Sequence, residues 1–418
     1  MRIIHRLRGR APVAAAAVAL VGLSTVLTAC GSSAPAASAC PLPAPGVTAG
    51  TIKVGYVYPD TGPAEIASTF KSARSGVEAR IDLQNAHGGV NGRRIDLVWR
   101  DDQSDEQAFS GAAHELVDTE KVFGLITTST ALDQSAGWLA RENVPVAGTA
   151  SSAIWSDYPN LFHAGNLYNG GGTSVFGDFV RAEGGTRALV IVDPNAAASQ
   201  GLAAQLTPSL RSRGIQVVGE VTYTDGVTNA ARVADQLRKS GADTLVGAAQ
   251  LEPFLAVYSA AKALGVRFNV ALNLTGYSPD LLAQRGADMA GMSIPSSIGA
   301  PGSPAMDTYL AAMSDYAPEA KDPADELAIG GYVVADEMIK GLELAGTCPS
   351  RQAFIRNLRN VTDFTAGGLI SPLDLSHPKQ PTLCQTFIDV DKTGTRFVSV
   401  PPPTTLDHDG YWCGTSLR

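Results

Sequence analysis

Short runs of β-branched and apolar residues alternate with longer stretches of helical periodicity from Thr51 onward, and this alternation constrains the fold more than any other feature. Several of the short runs are apolar almost throughout, which is typical of strands buried on both faces of a parallel sheet. The order is βαβαβ twice over, and it predicts an α/β protein with two doubly wound lobes. The predicted strands are residues 52–58, 95–100, 122–126, 188–192, 215–223, 244–247 and 268–274, and the predicted helices are residues 65–85, 105–119, 169–183, 200–213, 229–240 and 253–264.

Interruptions of this alternation predict where the chain crosses between the lobes. There are three interruptions, near residues 159–172, 293–304 and 366–372, and the second of them is dense in Ser, Gly and Pro. Three helices after the second interruption are expected to pack back on the first lobe, and they are predicted at residues 305–316, 326–344 and 351–358. A β-rich tail follows, with a hairpin at residues 391–394.

Three crossings imply a hinge of three strands, which permits closure around a ligand at the carboxyl ends of the strands. Lobe 1 is predicted to comprise residues 51–165 and 298–367, and lobe 2 residues 166–297 and 368–418. The part after the leader has roughly 390 residues, which are too many for one ordinary core and suit two lobes.

The first residues have the pattern of a secretory leader, predicted at residues 1–29. Four arginines precede an apolar run at residues 11–27, which at about 17 residues is short for a membrane span of about 20. The segment Leu27-Thr28-Ala29-Cys30 resembles the lipobox of bacterial lipoproteins, which implies that Cys30 carries the lipid. The alternative is an ordinary signal peptide with a chance cysteine. Residues 30–50 are uncharged and rich in Ser, Ala and Pro, and they predict a flexible tether.

The charge balance argues against a nucleic-acid partner, because the chain has 40 acidic and 32 basic residues and four of the arginines belong to the leader. No later stretch is apolar and long enough to cross a membrane, so anchoring would depend on Cys30 alone.

Four cysteines remain after Cys30, and an even number in an exported chain predicts two disulfides with three possible pairings. We favour Cys348 with Cys384, because their loop is short, and Cys40 with Cys413, because that bond would tie the two ends of the domain together. A metal site is the rival interpretation, but no CxxC or CxxH spacing supports it, and we predict neither a metal nor a cofactor.

The stretch from residue 52 to residue 126 is similar to a known family. A strand, the segment Pro59-Asp60-Thr61-Gly62-Pro63-Ala64, a helix ending in the motif Asn85-x-x-Gly-Gly-Val-Asn-Gly, and a strand running into Asp101-Asp102 resemble the leucine/isoleucine/valine-binding protein family. The resemblance covers nearly all of the chain after the leader in element order. It implies two Rossmann-like lobes of a type I periplasmic-binding fold, a small-molecule solute, and an ABC importer permease as partner. The expected location is the outer face of the cytoplasmic membrane, with a monomer on the lipid tether.

The glycine-rich motif has a structural interpretation. Gly88 and Gly89 can end the helix through positive φ angles, and Asn91-Gly92 can make a tight turn into the next strand. A phosphate-binding loop would need a strand before it and a helix after it, which is the reverse of the order here.

Hydroxyl-rich loops predict the ligand contacts of lobe 1. Thr127, Thr128 and Ser129 follow a predicted strand and precede a helix, where hydroxyls and free backbone N–H groups can bind a carboxylate. The alternative is simple helix capping by one of them. By the resemblance, a second loop with Thr149, Ser151 and Ser152 would face the same ligand, and Thr61 would complete the edge of this lobe.

Lobe 2 departs from the amino-acid pattern of the family. Amino-acid binders usually have an aromatic residue after the first strand of this lobe and an acidic residue after a later strand, but residues 193–199 and 273–277 offer neither. A buried ammonium group would then lack an ionic partner, which argues against amino-acid specificity. Amino-acid-like specificity stays an alternative to a neutral polar solute, an amide or an aromatic acid, for which Gln250 and Tyr277 are the candidate contacts and Trp155 or Tyr168 further candidates.

Catalysis is not predicted, because the chain has no GxSxG elbow or HExxH helix and its six histidines are scattered. Asp407-His408-Asp409 lacks the spacing of a calcium loop and is typical of a solvated tail. A second hypothesis is an extracellular sensor that uses the same fold to act through a signalling partner. Neighbouring permease and ATPase genes would favour import, and a neighbouring kinase gene would favour sensing.

Overall fold

A computed structural model describes residue 40 and residues 44–164, 172–194, 197–224 and 226–417. The predicted leader, Cys30 and Tyr168 lie outside these residues. No helix within the described ranges is both long and apolar enough to span a membrane.

The first sheet contains five parallel strands in the order β2-β1-β3-β4-β5. Its strands are β1 (Thr51–Tyr58), β2 (Arg94–Asp101), β3 (Leu125–Thr127), β4 (Val146–Gly148) and β5 (Leu161–His163). The helices between them are α1 (Ala64–Ala86), α2 (Glu106–His114), which continues as a π-helical turn (Glu115–Thr119), and α3 (Ala136–Arg141), with single 3-10 turns at Asp133–Ser135 and Ala153–Ser156. The predicted alternation of strands and helices is confirmed here.

The second sheet repeats this order in β8-β7-β9-β10-β11 and then adds antiparallel strands from the tail. Its parallel strands are β7 (Arg187–Val192), β8 (Gln216–Thr222), β9 (Thr244–Ala248), β10 (Val270–Asn273) and β11 (Ser293–Ser296), and its helices are α4 (Val175–Ala182), α5 (Ala197–Ser212), α6 (Ala230–Ser240), α7 (Leu251–Ala263) and α8 (Pro279–Met289). The same winding order in both sheets confirms two doubly wound lobes.

The tail completes the second sheet. Strands β12 (Cys384–Val390) and β13 (Phe397–Val400) form the predicted hairpin, in which the Asp391 N–H donates to the Arg396 carbonyl at 3.0 Å. Strands β14 (Asp407–His408) and β15 (Tyr411–Cys413) pair antiparallel beyond it, and β16 (Ser416–Leu417) pairs with β6 (Gly172–Thr173).

Three helices return to the first lobe, as predicted: α9 (Pro304–Tyr316), α10 (Glu326–Leu344) and α11 (Arg351–Leu358). Helices α1 and α10 approach closely because glycines face the neighbouring backbone. A Cβ atom at Gly76 would overlap the carbonyl of Ala328, and one at Gly331 would overlap the carbonyl of Ala73. This contact joins the returning helices to the core of the first sheet.

The second and third crossing segments pair with each other. The Gly299 N–H donates to the Leu369 carbonyl at 2.7 Å, and the Ser371 N–H donates to the Ser297 carbonyl at 2.8 Å. A 3-10 turn at Ala366–Gly368 precedes this pairing, and Ile370 packs in the core of the first lobe. The lobe boundaries given above stay a prediction.

Residues 293–296 correct one expectation, since they form β11 and not the start of an interruption. The segment Ser-Ile-Pro-Ser carries a weak strand signal, because Pro interrupts it. Its extended conformation comes from tertiary pairing with β10 on one side and β12 on the other.

The favoured disulfide pairing is wrong. Cys40 bonds to Cys348 and Cys384 bonds to Cys413, with Cα separations of 5.3 and 4.0 Å. Cys384 and Cys413 lie directly opposite each other in β12 and β15, so strand register decides that bond. The buried Arg93 side chain donates to the carbonyls of Thr48 and Thr347, which holds the N-terminal segment beside Cys348. Loop length was therefore a poor guide to the pairing.

Near the first sheet, the structure confirms one other local prediction and corrects a second. Gly88, Gly89, Asn91 and Gly92 all have positive φ, between 50° and 96°, which confirms the helix stop and the tight turn. Residues 44–50 are not extended linker, because Val47 pairs with Ile52 and packs on the first core. Cys40 is bonded to Cys348, so the tether stays a prediction for residues 30–39.

Candidate functional site

A cavity of about 200 Å³ lies where the two lobes and the crossing segments meet. Thr149 and Ala150, which follow β4, form the side that belongs to the first sheet. The second-lobe side consists of residues from β6, α4, α5 and β12, with Thr382 just before β12, and the crossings contribute Ala164 and Ser297. The remaining lining residues are Ala164, Thr173, Phe176, Leu202, Gln205, Ser297, Thr382 and Gln385.

Four polar side chains in this lining make no hydrogen bond within the part of the chain that the structure describes. They come from four separate segments: Thr149 after β4, Gln205 on α5, Ser297 after β11 and Gln385 in β12. Polar groups of a folded protein usually have partners, in protein or in solvent. Their convergence on one cavity suits a polar ligand.

The cavity lining among the described residues carries no charged side chain. Apolar contact comes from Phe176 and Leu202. Phe176 is buried and packs edge-on against Phe387, with ring centroids 6.4 Å apart, so this part of the wall is held in place from behind. The arrangement offers neutral hydrogen-bonding groups opposite an apolar surface.

The hydroxyls of Thr127, Thr128 and Ser129 lie outside this lining and have intramolecular partners. All three residues are buried. The Thr127 hydroxyl donates to the Val57 carbonyl at 2.9 Å, and the Thr128 hydroxyl shares a 2.7 Å hydrogen bond with the Tyr56 hydroxyl. Ser129 Oγ accepts from the Ala131 N–H at 3.0 Å, which is the capping alternative. Contact of these residues with a ligand stays a prediction.

Two ionisable side chains near this loop, those of Tyr56 and Asp102, are buried. Burial raises the pKa of Tyr56 above its ordinary value, and the hydrogen bond to Thr128 opposes that rise. Burial likewise raises the pKa of Asp102, which follows β2, and the Ser129 hydroxyl opposes that rise. The loop and the neighbouring strand ends therefore place several polar groups in the interior of the first lobe.

Of the four other first-lobe candidates, one lines the cavity and three do not. Only Thr149 of the predicted residues lines the cavity. Ser152 donates from Oγ to Asp133 at 2.8 Å, and the Thr61 hydroxyl donates to Asp101. Ser151 Oγ is buried without a hydrogen-bond partner among the described residues, but the residue does not belong to the lining.

The second-lobe candidates Gln250 and Tyr277 also lie outside the cavity lining. Gln250 is exposed at the start of α7. Tyr277 packs edge-on against Phe397 with ring centroids 4.9 Å apart, and burial raises the pKa of its hydroxyl to about 12. Trp155 is fully buried in the core of the first lobe, so it is a packing residue.

Sequence reasoning missed Gln205, Ser297 and Gln385. Gln205 lies three residues after Leu202, which places both on one face of α5. A polar residue on such a face is a usable signal, but the sequence does not show that the face borders a cavity. Ser297 lies in the second crossing and Gln385 in β12, and no local pattern shows that these two segments border the same cavity.

Comparison with known proteins decides the family. A family model described as a periplasmic binding protein matches residues 51–395. The chain belongs to this periplasmic binding protein family. The family consists of extracytoplasmic binding proteins and not of enzymes, and among the described residues no group of His, Cys, Asp and Glu could hold a metal ion.

A curated relative of this family member is the Leu/Ile/Val-binding protein homolog 3 of Brucella melitensis. The two are 24% identical over 200 residues, which cover 46% of this chain and 53% of the relative. The match thus spans about half the length of that relative.

Solved structures give a wider match. The chain is similar to a putative branched-chain amino acid ABC transporter from Rhodospirillum rubrum, with a TM-score of 0.73, 19% identity, and coverage of 84% of this chain and 100% of that one. It is also similar to the branched-chain amino acid transporter substrate binding protein LivJ from Streptococcus pneumoniae in complex with isoleucine, with a TM-score of 0.60, 17% identity, and coverage of 84% and 99%. At such identities the likeness shows the fold, and the two-lobed periplasmic-binding fold is confirmed.

Proposed function

We propose that this chain is a solute-binding lipoprotein that captures a small polar solute between its lobes and delivers it to an ABC-type import permease. The observation that carries the proposal is the cavity at the meeting point of the lobes and crossings, with unpartnered polar side chains from four segments. The names of the relatives, which bind branched-chain amino acids or belong to ABC transporters, support the same role.

The mechanism follows from where the lining residues sit. Thr149 belongs to the first lobe, Gln205 and Gln385 to the second, and Ser297 to the second crossing. A solute that hydrogen-bonds to all three regions binds most tightly when they are close together, so it shifts the population toward a closed arrangement. The permease would recognise the closed surface.

Thermal denaturation of the full chain tests solute binding. A ligand that binds only the folded state raises the melting temperature, so at least one class among amino acids, amides, aromatic acids, polyols and nucleosides is expected to raise it. Ala150→Trp should abolish the shift, because an indole would fill much of a cavity of about 200 Å³. Ala231→Trp, on the exposed face of α6, is the matched control and should keep it. A shift that survives Ala150→Trp would place binding elsewhere.

Lipid attachment needs its own test, because Cys30 lies outside the described residues. The full chain should incorporate labelled palmitate and sediment with membranes, and Cys30→Ala should lose both properties. Retention of the label by Cys30→Ala would contradict the lipoprotein part of the proposal and leave solute binding untouched.

A further inference from the structure

The hydrogen-bonding capacity of the cavity points to one class of solute. Gln205 and Gln385 each present a carboxamide, which both donates through its NH₂ group and accepts through its carbonyl oxygen. Thr149 and Ser297 add hydroxyls, which also do both. A ligand group that donates and accepts side by side can satisfy all of them, and the carboxamide group has this property.

We propose that the cavity binds a small uncharged solute carrying a carboxamide or urea group, with Gln205 and Gln385 as its specificity-determining residues. This inference rests on the proposed solute-binding function. It assigns the chemical class of the solute and two residues for its recognition.

Charged head groups fit the cavity poorly. A carboxylate only accepts hydrogen bonds and an ammonium group only donates them, so either leaves part of each glutamine amide unpaired. No carboxylate or cation among the described lining residues can neutralise such a charge. An unpaired buried charge is costly, and an amino-acid zwitterion would carry two.

Ionisable groups outside the cavity lining are paired with other residues. Asp133 accepts from Ser152, and Glu252 forms an ion pair with Arg285 on α8. Lys379 pairs with Asp157 at 2.7 Å. Recruiting any of them to a charged solute would break an existing contact.

The apolar part of the lining restricts the size and polarity of the solute beyond its amide group. Phe176 and Leu202 face the cavity beside the glutamines, and Ala150 and Ala164 leave room on the side of the first lobe. The cavity, at about 200 Å³, is smaller than the roughly 300–1,000 Å³ of pockets for drug-sized ligands. A short alkyl chain next to the amide fits this space, whereas a polyol would place hydroxyls against Phe176 and Leu202.

Four probes with related branched alkyl groups test the head group on the full chain by calorimetric titration. They are 4-methylpentanamide, 4-methylpentanoate, 3-methylbutylamine and leucine, and a polyol of similar size is the fifth. The amide is expected to bind at least tenfold more tightly than each of the others. Equal or tighter binding of leucine, the carboxylate, the amine or the polyol would overturn the amide assignment but leave solute capture standing. If none of the five binds, the amide assignment is also overturned, and the wider solute screen then decides the receptor function separately.

Variants test the assigned residues. Gln205→Leu and Gln385→Leu should each weaken amide binding at least tenfold, since the donor and acceptor are lost together. Gln205→Glu should shift preference toward the amine, because it places a carboxylate in the lining. Gln236→Glu, at an exposed position of α6, introduces the same charge outside the cavity and should change neither affinity. Unfolding of each unliganded variant checks its fold, and an unchanged amide affinity in both folded leucine variants would overturn the assignment of these residues.

Discussion

Polar side chains at the ends of the first-lobe strands and polar side chains in the cavity are of similar chemical type but differ in their partners. Thr127 and Thr128 are buried, and their hydroxyls bond to Val57 and Tyr56 of the neighbouring strand. Gln205 and Gln385 have no such partner among the described residues. Removing a paired group should therefore lower stability, and removing an unpaired cavity group should lower affinity.

Glu337 is a third kind of polar side chain, which is buried and unpaired but does not line the cavity. It lies on α10 in the core of the first lobe, is fully buried, and neither carboxyl oxygen has a hydrogen-bond partner among the described residues. It does not belong to the lining of the cavity between the lobes. An unpaired polar group of this kind is expected to cost stability when it is ionised.

The largest predicted effect is a gain of stability in Glu337→Gln at alkaline pH. Burial raises the pKa of Glu337 from its ordinary value of 4.5 to about 8, although the nearby Arg359 opposes the rise. Between these values the folded state keeps a proton that the unfolded state releases, so stability falls as pH rises. The amide stays neutral, and the variant should be more stable by on the order of 3 kcal/mol at pH 8.

Denaturant unfolding at pH 5 and pH 8 measures this gain. The advantage of Glu337→Gln should be small at pH 5 and full at pH 8 or above. Glu343→Gln, at an exposed position of the same helix, is the matched control and should show no such pH dependence. A variant that is less stable at both pH values would mean that the carboxylate is useful in the core.

The second prediction concerns the unpaired groups of the cavity. The double variant Gln205→Leu with Gln385→Leu should lose about 2–3 kcal/mol of binding free energy for the solute that gives the largest thermal shift, with little change in unliganded stability. Calorimetric titration and unfolding of the same samples separate the two quantities. Loss of stability with unchanged affinity would reverse the assignment of these residues.

Much of the fold could be predicted, because the alternation of apolar runs and helical stretches is a local signal that tertiary contacts reinforce. Helices α10 and α11 have the predicted bounds, 326–344 and 351–358. Strand β11 could not be predicted, because it contains Pro295 and owes its conformation to β10 and β12. The disulfide pairing was predicted wrongly for a related reason. The register of β12 and β15 decides one bond, and the Arg93 contacts place the segment that forms the other.

The cavity was harder to predict than the fold. Thr149 was named from the loop that follows a strand, and this position does line the cavity. The hydroxyls of Thr127 and Thr128 looked equivalent in sequence, but whether a hydroxyl faces a cavity or a neighbouring strand depends on tertiary packing. Gln205 and Gln385 are 180 positions apart and meet only because β12 joins the second sheet beside β11.

The smallest predicted effect distinguishes a structural from a ligand-binding role of the hydroxyl loop. Thr127→Val keeps the shape of the side chain and removes the hydrogen bond to the Val57 carbonyl, which still accepts from the Thr128 N–H at 3.3 Å. Because that carbonyl keeps a partner, the loss of stability should be only about 1 kcal/mol, with unchanged solute affinity. Thr130→Val, at the exposed neighbouring position, should change neither quantity. A tenfold loss of affinity in Thr127→Val, with stability unchanged, would show that the first-lobe loop contacts the solute and that its internal hydrogen bonds rearrange on binding.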